Sequence, residues 1–234
     1  MEMTKVLMND IFNSKGIITI TGKHNVGKSW FVANIVKQAI FANKIVAVNS
    51  SEHTKEYMLT RLISLITNVG FTDLHKGTFE DINEINVAAG KIAKSNLYVS
   101  DKTAIEDVVS SIKILKDKLE KENKKLDLII IDSLKYLANN KYKTICDVFK
   151  YTKEELKEFN IPVIITYPIS SNEIRIPKNM EMNPTKEETK FIKDNSDIFI
   201  SMERTIELTI DYNPNKSQTV EYKFNASTGE FIEK

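Results

Sequence analysis

Short, wholly apolar runs alternate along the chain with longer segments whose apolar residues recur every three or four positions. Ile17–Thr21, Ile45–Asn49, Leu128–Asp132 and Val163–Tyr167 are the strongest runs of the first kind. Runs without polar alternation predict strands covered on both faces, as in a parallel sheet flanked by helices. Helical spacing lies between them, with Phe31, Val32, Ile35, Val36, Ala39 and Ile40 in Lys28–Ala42, and Met58, Leu62, Leu65 and Ile66 in Thr54–Val69. Thr103-Ala-Ile-Glu106 has the form of a capping box opening a further helix, and its tail "KDKLEKENKK" reads as a solvated face. A fourth helix is predicted over Thr144–Phe159, stopped by Pro162, with a weaker one near Asp81–Lys94 and a short strand at Leu97–Ser100.

After Tyr167 the texture changes. Ile169–Ser196 is polar, holds Pro177 and Pro184, and reads as a long loop with room for one helical turn. Ile198–Met202, Thr205–Asp211 and Thr219–Phe224 then read as strands, joined by turns at "NPNKS" and "NASTGE" into antiparallel hairpins. The expected fold class is α/β: a mainly parallel sheet with right-handed crossovers, flanked by helices and edged by antiparallel C-terminal strands.

Length and composition narrow this picture only a little. At 234 residues without a linker or repeat, one domain over 1–234 is expected. The net charge of +1 gives no global attraction to nucleic acid or to an anionic membrane, so any such surface must be local. Arginine is scarce, limited to Arg61, Arg175 and Arg204. The single cysteine, Cys146, excludes an intrachain disulfide and a cysteine metal cluster, and on a helix it reads as a structural thiol. His24, His53 and His75 make no metal-ligand spacing. The start "MEMTKVLMNDIF" lacks a signal peptide's apolar core and no run approaches a membrane span, so a cytoplasmic protein without a membrane partner is expected.

The candidate chemistry begins at Gly22-Lys-His-Asn-Val-Gly27-Lys28-Ser29, which has the spacing G-x-x-x-x-G-K-[ST] between an apolar strand and an amphipathic helix. Glycines at both ends let successive backbone N–H groups turn inward onto phosphate oxygens, and the helix adds its positive N-terminus. Lys28 supplies a mobile cation for the β- and γ-phosphates, and the Ser29 hydroxyl a ligand for Mg2+. The nucleotide-binding set is thus Gly22, Asn25, Val26, Gly27, Lys28, Ser29 and Trp30. Asp132, after the apolar run in "LDLIIIDSL", is placed to position the metal, or else to cap its own turn. Glu52, just past the second strand, stands at the same rim as the candidate water-activating carboxylate, although an acid there is equally an ordinary loop residue.

The order of these pieces resembles the RecA-like motor domain of DnaB-type replicative helicases over almost the whole chain. The matching pieces are "GIITITGKHNVGKSWFVANIV", "VAVNSSEHTKEYMLTRLIS", "NLYVSDKTAIEDVVSSIKILK", "LDLIIIDSLKYL", "LKEFNIPVIITYPIS" and "FIKDNSDIFISMER". The resemblance implies ATP and Mg2+, Glu52 as hydrolytic base with Lys28 as its cationic partner, a hexamer-like homo-oligomer and single-stranded DNA. It also marks departures. The family's separate N-terminal helical domain is expected to be missing, because the phosphate loop falls within the first thirty residues. Pro168 stands where the family carries a γ-phosphate-sensing glutamine, and Asp211 and Asn213 stand where a lysine and an arginine finger reach the neighbouring subunit. Either Lys216 or Arg204 serves instead, or hydrolysis is slow.

The stretch matching the family's DNA loops is Ser170–Lys193, with Arg175, Lys178, Lys186, Lys190 and Lys193 as candidate phosphate contacts. Glu173, Glu181, Glu187 and Glu188 lie among them, which is also the composition of a solvated mixed-charge loop. Two functions follow: a DNA-stimulated helicase-like ATPase in replication or recombination, or a non-motor paralogue using ATP as a conformational ligand for a replication partner. A small-molecule kinase is disfavoured by the shortage of arginines for a lid.

Overall fold

All four strongest apolar runs form strands buried at every position, as their lack of alternation requires. The computed structural model describes residues 5–79, 82–137, 139, 141–169, 184–204, 207–212, 216–225 and 227–233. In chain order the elements begin α1 (Lys5–Asn13), β1 (Ile17–Gly22), α2 (Lys28–Phe41), β2 (Val46–Ser50), α3 (Lys55–Thr67), α4 (Phe71–Lys76), α5 (Ile82–Lys94) and β3 (Leu97–Ser100). They continue α6 (Ile105–Lys121), β4 (Leu128–Asp132), α7 (Ile145–Leu156), β5 (Val163–Pro168), α8 (Lys186–Asp194), β6 (Ile198–Arg204), β7 (Glu207–Tyr212), β8 (Lys216–Asn225) and β9 (Glu230–Glu233). A 3-10 turn, Leu134–Leu137, follows β4 directly.

The strands join in the order β3-β2-β4-β5-β1-β6-β7-β8-β9. Pairs from β3 to β6 are parallel and those from β6 to β9 antiparallel. Strand side chains alternate between faces, and each face builds its own core layer. Ile18, Ile20, Val48, Ile130 and Ile164 pack under α1, α2 and α3, with Tyr222 and Phe231 of the last hairpin. Ile129, Ile131 and Ile165 pack on the opposite face against α6, α7 and α8, together with Leu134 and Leu137. This parity places Asp132 and Thr166, two residues beyond Ile130 and Ile164, on the α2 side.

The structure adds elements that the hydrophobic pattern leaves out. Helix α1 occupies the N-terminal stretch, where Leu7, Met8 and Ile11 are buried. Nine residues are too few for a helix to stand alone in water. Burying three apolar side chains at about 1.5–3 kcal/mol each holds it in place. The polar segment after Tyr167 holds a nine-residue helix, α8, opened by a capping box between Thr185 and Glu188. The box expected at Thr103 and Glu106 does not form. Helix α6 has Ala104 as its N-cap without a side-chain bond, so Glu106 falls at its second position and instead accepts from Asn139 Nδ2 at 3.0 Å. The box forms at Thr144 and Asp147, at the start of α7.

Candidate functional site

At the end of β1 the backbone turns away under tight steric control. A Cβ at Gly22 would lie 2.3 Å from the Met202 carbonyl oxygen on β6, a contact no side chain tolerates. Gly27, at φ 102°, is the N-cap of α2 and no side chain caps that helix. Its first-turn N–H groups are therefore open to an anion. Asn25, Gly27, Lys28, Ser29 and Trp30 line a cleft of about 210 Å³ with Glu52 and Arg61 among its other walls. Gly22 lies beneath this loop rather than in the lining, and the Val26 side chain belongs to the core.

Among the described residues, neither Lys28 nor Arg61 makes an ion pair with a carboxylate. Lys28 Nζ donates to the carbonyl oxygens of Gly22 (3.0 Å) and Lys23 (2.9 Å). Burial holds its ammonium below the ordinary lysine value, against the charges of Asp132 and Glu52, which raise it. Arg61, on α3, is 7% exposed, and its Nε and Nη1 meet no acceptor among the described residues. Its guanidinium lies against the rings of Tyr57 (4.7 Å), Trp30 (5.7 Å) and Phe71 (6.0 Å). Burial also pushes Arg61 down from its ordinary value, with Asp132, Tyr57 and Glu52 opposing. Buried guanidinium donors without acceptors, as Nε and Nη1 are here, are costly, and phosphate oxygens are the acceptors their geometry suits.

The two candidate acids sit at the carboxyl ends of adjacent strands, Asp132 closing β4 and Glu52 two residues past β2. Asp132 is 2% exposed and its Oδ1 accepts from Thr166 Oγ1 at 2.5 Å. Glu52 is exposed past β2, and its Oε1 accepts from the Tyr136 hydroxyl at 3.2 Å. Ser29 and Asp132 are hard oxygen donors of the kind Mg2+ takes alongside phosphate and water. No three His, Cys, Asp or Glu side chains converge among the described residues. A metal here would thus be held jointly with phosphates rather than in a protein cage.

Sequence reasoning missed Arg61, Tyr136 and the contact of Lys135 Nζ with His24 Nε2 at 3.3 Å. For Arg61 a signal existed: it falls with Met58, Leu62 and Leu65 on the buried stripe of α3. Pro168 ends β5 opposite Gly22 and lines the cleft. Lys186 and Lys190 are exposed, four residues apart on α8, whereas Lys193 lies with its amine 5.6 Å from the Phe199 ring. Arg175, Lys178 and Asn213 lie outside the described residues, as do the side chains of Arg204, Asp211 and Lys216. Cys146 is half-buried, its thiol pushed up to about 11 chiefly by burial, as an inert structural cysteine should be.

A phosphate-loop motif between the central β1 and α2, with β5 and β6 parallel on either side and acids closing β2 and β4, defines a RecA-like ATPase fold. A solved ATPase domain superposes with a TM-score of 0.74 at 18% identity, covering 93% of this chain and 84% of that one. A DnaB-like replicative helicase, solved in a study of its interactions with primase, gives 0.76 at 18% identity, over 94% of this chain and 59% of that one. The family model described as "DnaB-like helicase C terminal domain" matches residues 8–224, and the chain belongs to that family. Replicative DNA helicase DnaB of Helicobacter pylori is 26% identical over 160 residues, 65% of this chain and 32% of that protein. Its counterpart in Rickettsia typhi is 24% identical over 212 residues, 82% of this chain and 42% of its own length. The chain thus spans about a third to two fifths of these relatives.

Proposed function

We propose that the protein binds ATP with Mg2+ and hydrolyses it, as a helicase-related ATPase acting in DNA replication or recombination. The observation that supports this is the convergence on one cleft of Lys28, Glu52 and Arg61, whose Nε and Nη1 meet no acceptor among the described residues, with Asp132 beneath it. Lys28 exchanges the loop carbonyls for β- and γ-phosphate oxygens, and the open N–H groups of α2 take the remainder. Ser29 and Asp132 would hold Mg2+, which would supply neutralisation of the phosphate charge. Glu52 accepts the proton of the attacking water, and Arg61 meets charge developing on the terminal phosphate. Magnesium-dependent ATPase assays on the wild type and Glu52→Gln test this: unchanged turnover in the variant removes Glu52 from the mechanism.

The partners follow from the family as proposals: a hexamer-like ring or filament of one domain, in the cytoplasm, on single-stranded DNA. Lys186 and Lys190 supply backbone contacts from α8, joined by Arg175 and Lys178. No helix among the described residues is long and apolar enough to cross a membrane.

Pro168 in the cleft wall favours a second reading, because a proline has no N–H to offer a phosphate. Here the protein is a non-motor accessory that binds ATP with little turnover and docks onto a replication partner. ATPase rates with and without single-stranded DNA, beside mass determination in the same buffer, separate the two. DNA-stimulated turnover in an oligomer supports the motor; an inert monomer that binds ATP supports the accessory.

A further inference from the structure

The turn after β4 brings a side chain to one of the cleft's walls, Glu52. Leu134 and Leu137 are both fully buried and pin the segment Leu134–Leu137 immediately beyond Asp132. Between these anchors Tyr136 is left 38% exposed, so its ring is not what holds the turn. Its hydroxyl donates to Glu52 Oε1, 3.2 Å away, past the end of the neighbouring strand β2. Glu52 accepts no second hydrogen bond among the described residues. A glutamate exposed at a strand end, with three rotatable bonds, has nothing else to fix its direction.

We propose that Tyr136 is a positioning residue for Glu52, holding the carboxylate by one oxygen and leaving Oε2 free for the water it activates. The inference rests on the reading of Glu52 as the base. Burial, aided by the Glu52 charge, pushes the Tyr136 hydroxyl up to about 12, so at neutral pH it keeps its proton and donates it to the carboxylate. It cannot compete with Glu52 for the proton of the water, and its one function toward that carboxylate is orientation. Misplacing a reacting group by an ångström costs on the order of 100-fold in rate, so anchoring a loose base has leverage that its modest surface contact hides. Lys28 and Arg61 bring positive charge to the same cleft, so an unanchored Glu52 has other directions in which to swing.

The test is a double-mutant cycle on the full chain, reading Mg-ATP turnover for wild type, Tyr136→Phe, Glu52→Gln and the double variant. Tyr136→Phe is expected to lower kcat about 10-fold, the scale of a lost hydrogen bond to a charged group, with KM within about twofold. It is expected to cost nothing further in the Glu52→Gln background, because it acts through that carboxylate. If Glu52→Gln collapses turnover and Tyr136→Phe leaves kcat intact, the positioning role is overturned while the base survives. An equal loss from Tyr136→Phe in both backgrounds overturns it too. Turnover unchanged in Glu52→Gln, or undetectable in the wild type, overturns the reading of the base itself. One readout needs no turnover: the Glu52 side-chain carboxyl 13C resonance, assigned by its disappearance in Glu52→Gln. It is expected to move in Tyr136→Phe, and an unmoved resonance overturns the contact.

Discussion

Replacing Arg61 by methionine removes the charge while keeping most of the side-chain length, and its effect on stability should be opposite to its effect on binding. In the unliganded protein Arg61 is 7% exposed with Nε and Nη1 unpartnered. An unmade hydrogen bond of a buried donor costs about 1–3 kcal/mol, more on a charged group. The three surrounding rings return about 0.5–2 kcal/mol through cation–π attraction. The balance is about 2 kcal/mol of destabilisation that an apolar replacement relieves, in line with other buried charges. For a domain of this size that corresponds to a Tm about 4–8 °C higher without nucleotide. A buried charge pair with a phosphate is worth about 2–5 kcal/mol, so ATP affinity should fall about 100-fold. At 100 times the wild-type Kd, ATP stabilises the wild type by about 2.7 kcal/mol and the variant by about 0.4 kcal/mol. The two melting curves, separated without ATP, should therefore converge with it. Differential scanning fluorimetry with and without Mg-ATP reads both numbers. A lower Tm for unliganded Arg61→Met, or an ATP-induced shift equal to that of the wild type, would refute the reasoning.

Three further outcomes follow from the same geometry. Trp30, the chain's single tryptophan, lines the cleft beside Ser29, so intrinsic fluorescence should change saturably with ATP and lose that change in Lys28→Ala. A Cβ at Gly229, at φ 79°, would lie 1.8 Å from the Trp30 ring. Gly229→Ala should therefore cost about 3 kcal/mol from left-handed strain and overpacking, seen as a reduced denaturant midpoint. His24 is held below 6.5 by burial first and then by the charges of Lys135 and Lys28, with Glu52 opposing. Between its folded value and 6.5 the unfolded chain binds the proton more readily, so stability rises with pH there and falls on acidification. Lys135→Ala should move the His24 titration, followed by NMR of its ring, back toward 6.5.

How much was legible depends on whether a segment's role is set by its own residues or by what packs on it. Leu128–Asp132 has the bounds its apolar run indicates, because a buried strand is continuous apolar sequence, and the half-buried Leu97–Ser100 also keeps its bounds. The phosphate loop was equally plain, since fixed spacing is what its backbone demands. Helices α1 and α4 were not, because each is too short to carry periodicity and persists through tertiary contact. Helix α8 escaped because its composition is polar and only Ile192 is fully buried. Arg61 reads as a surface charge until its place on the buried stripe of α3 is weighed. Tyr136 could not be found at all, because its bond to Glu52 joins residues 84 positions apart.

The sheet separates the two core layers, and the cleft opens where both reach its carboxyl edge. The phosphate loop, Trp30 and Arg61 are anchored in the layer of Phe31, Met58 and Leu62, whereas the turn bearing Tyr136 is anchored by Leu134 and Leu137 in the other. The site is therefore a seam between two packed bodies that share one sheet, stitched across by Tyr136 to Glu52, while the bond of Thr166 to Asp132 ties β5 to β4 on the phosphate-loop side. A cavity opened in either body, far from any nucleotide, would let one lip of the seam drift against the other. Distant core substitutions should then act on turnover as misalignment while leaving the phosphate loop, which lies wholly on one lip, able to bind.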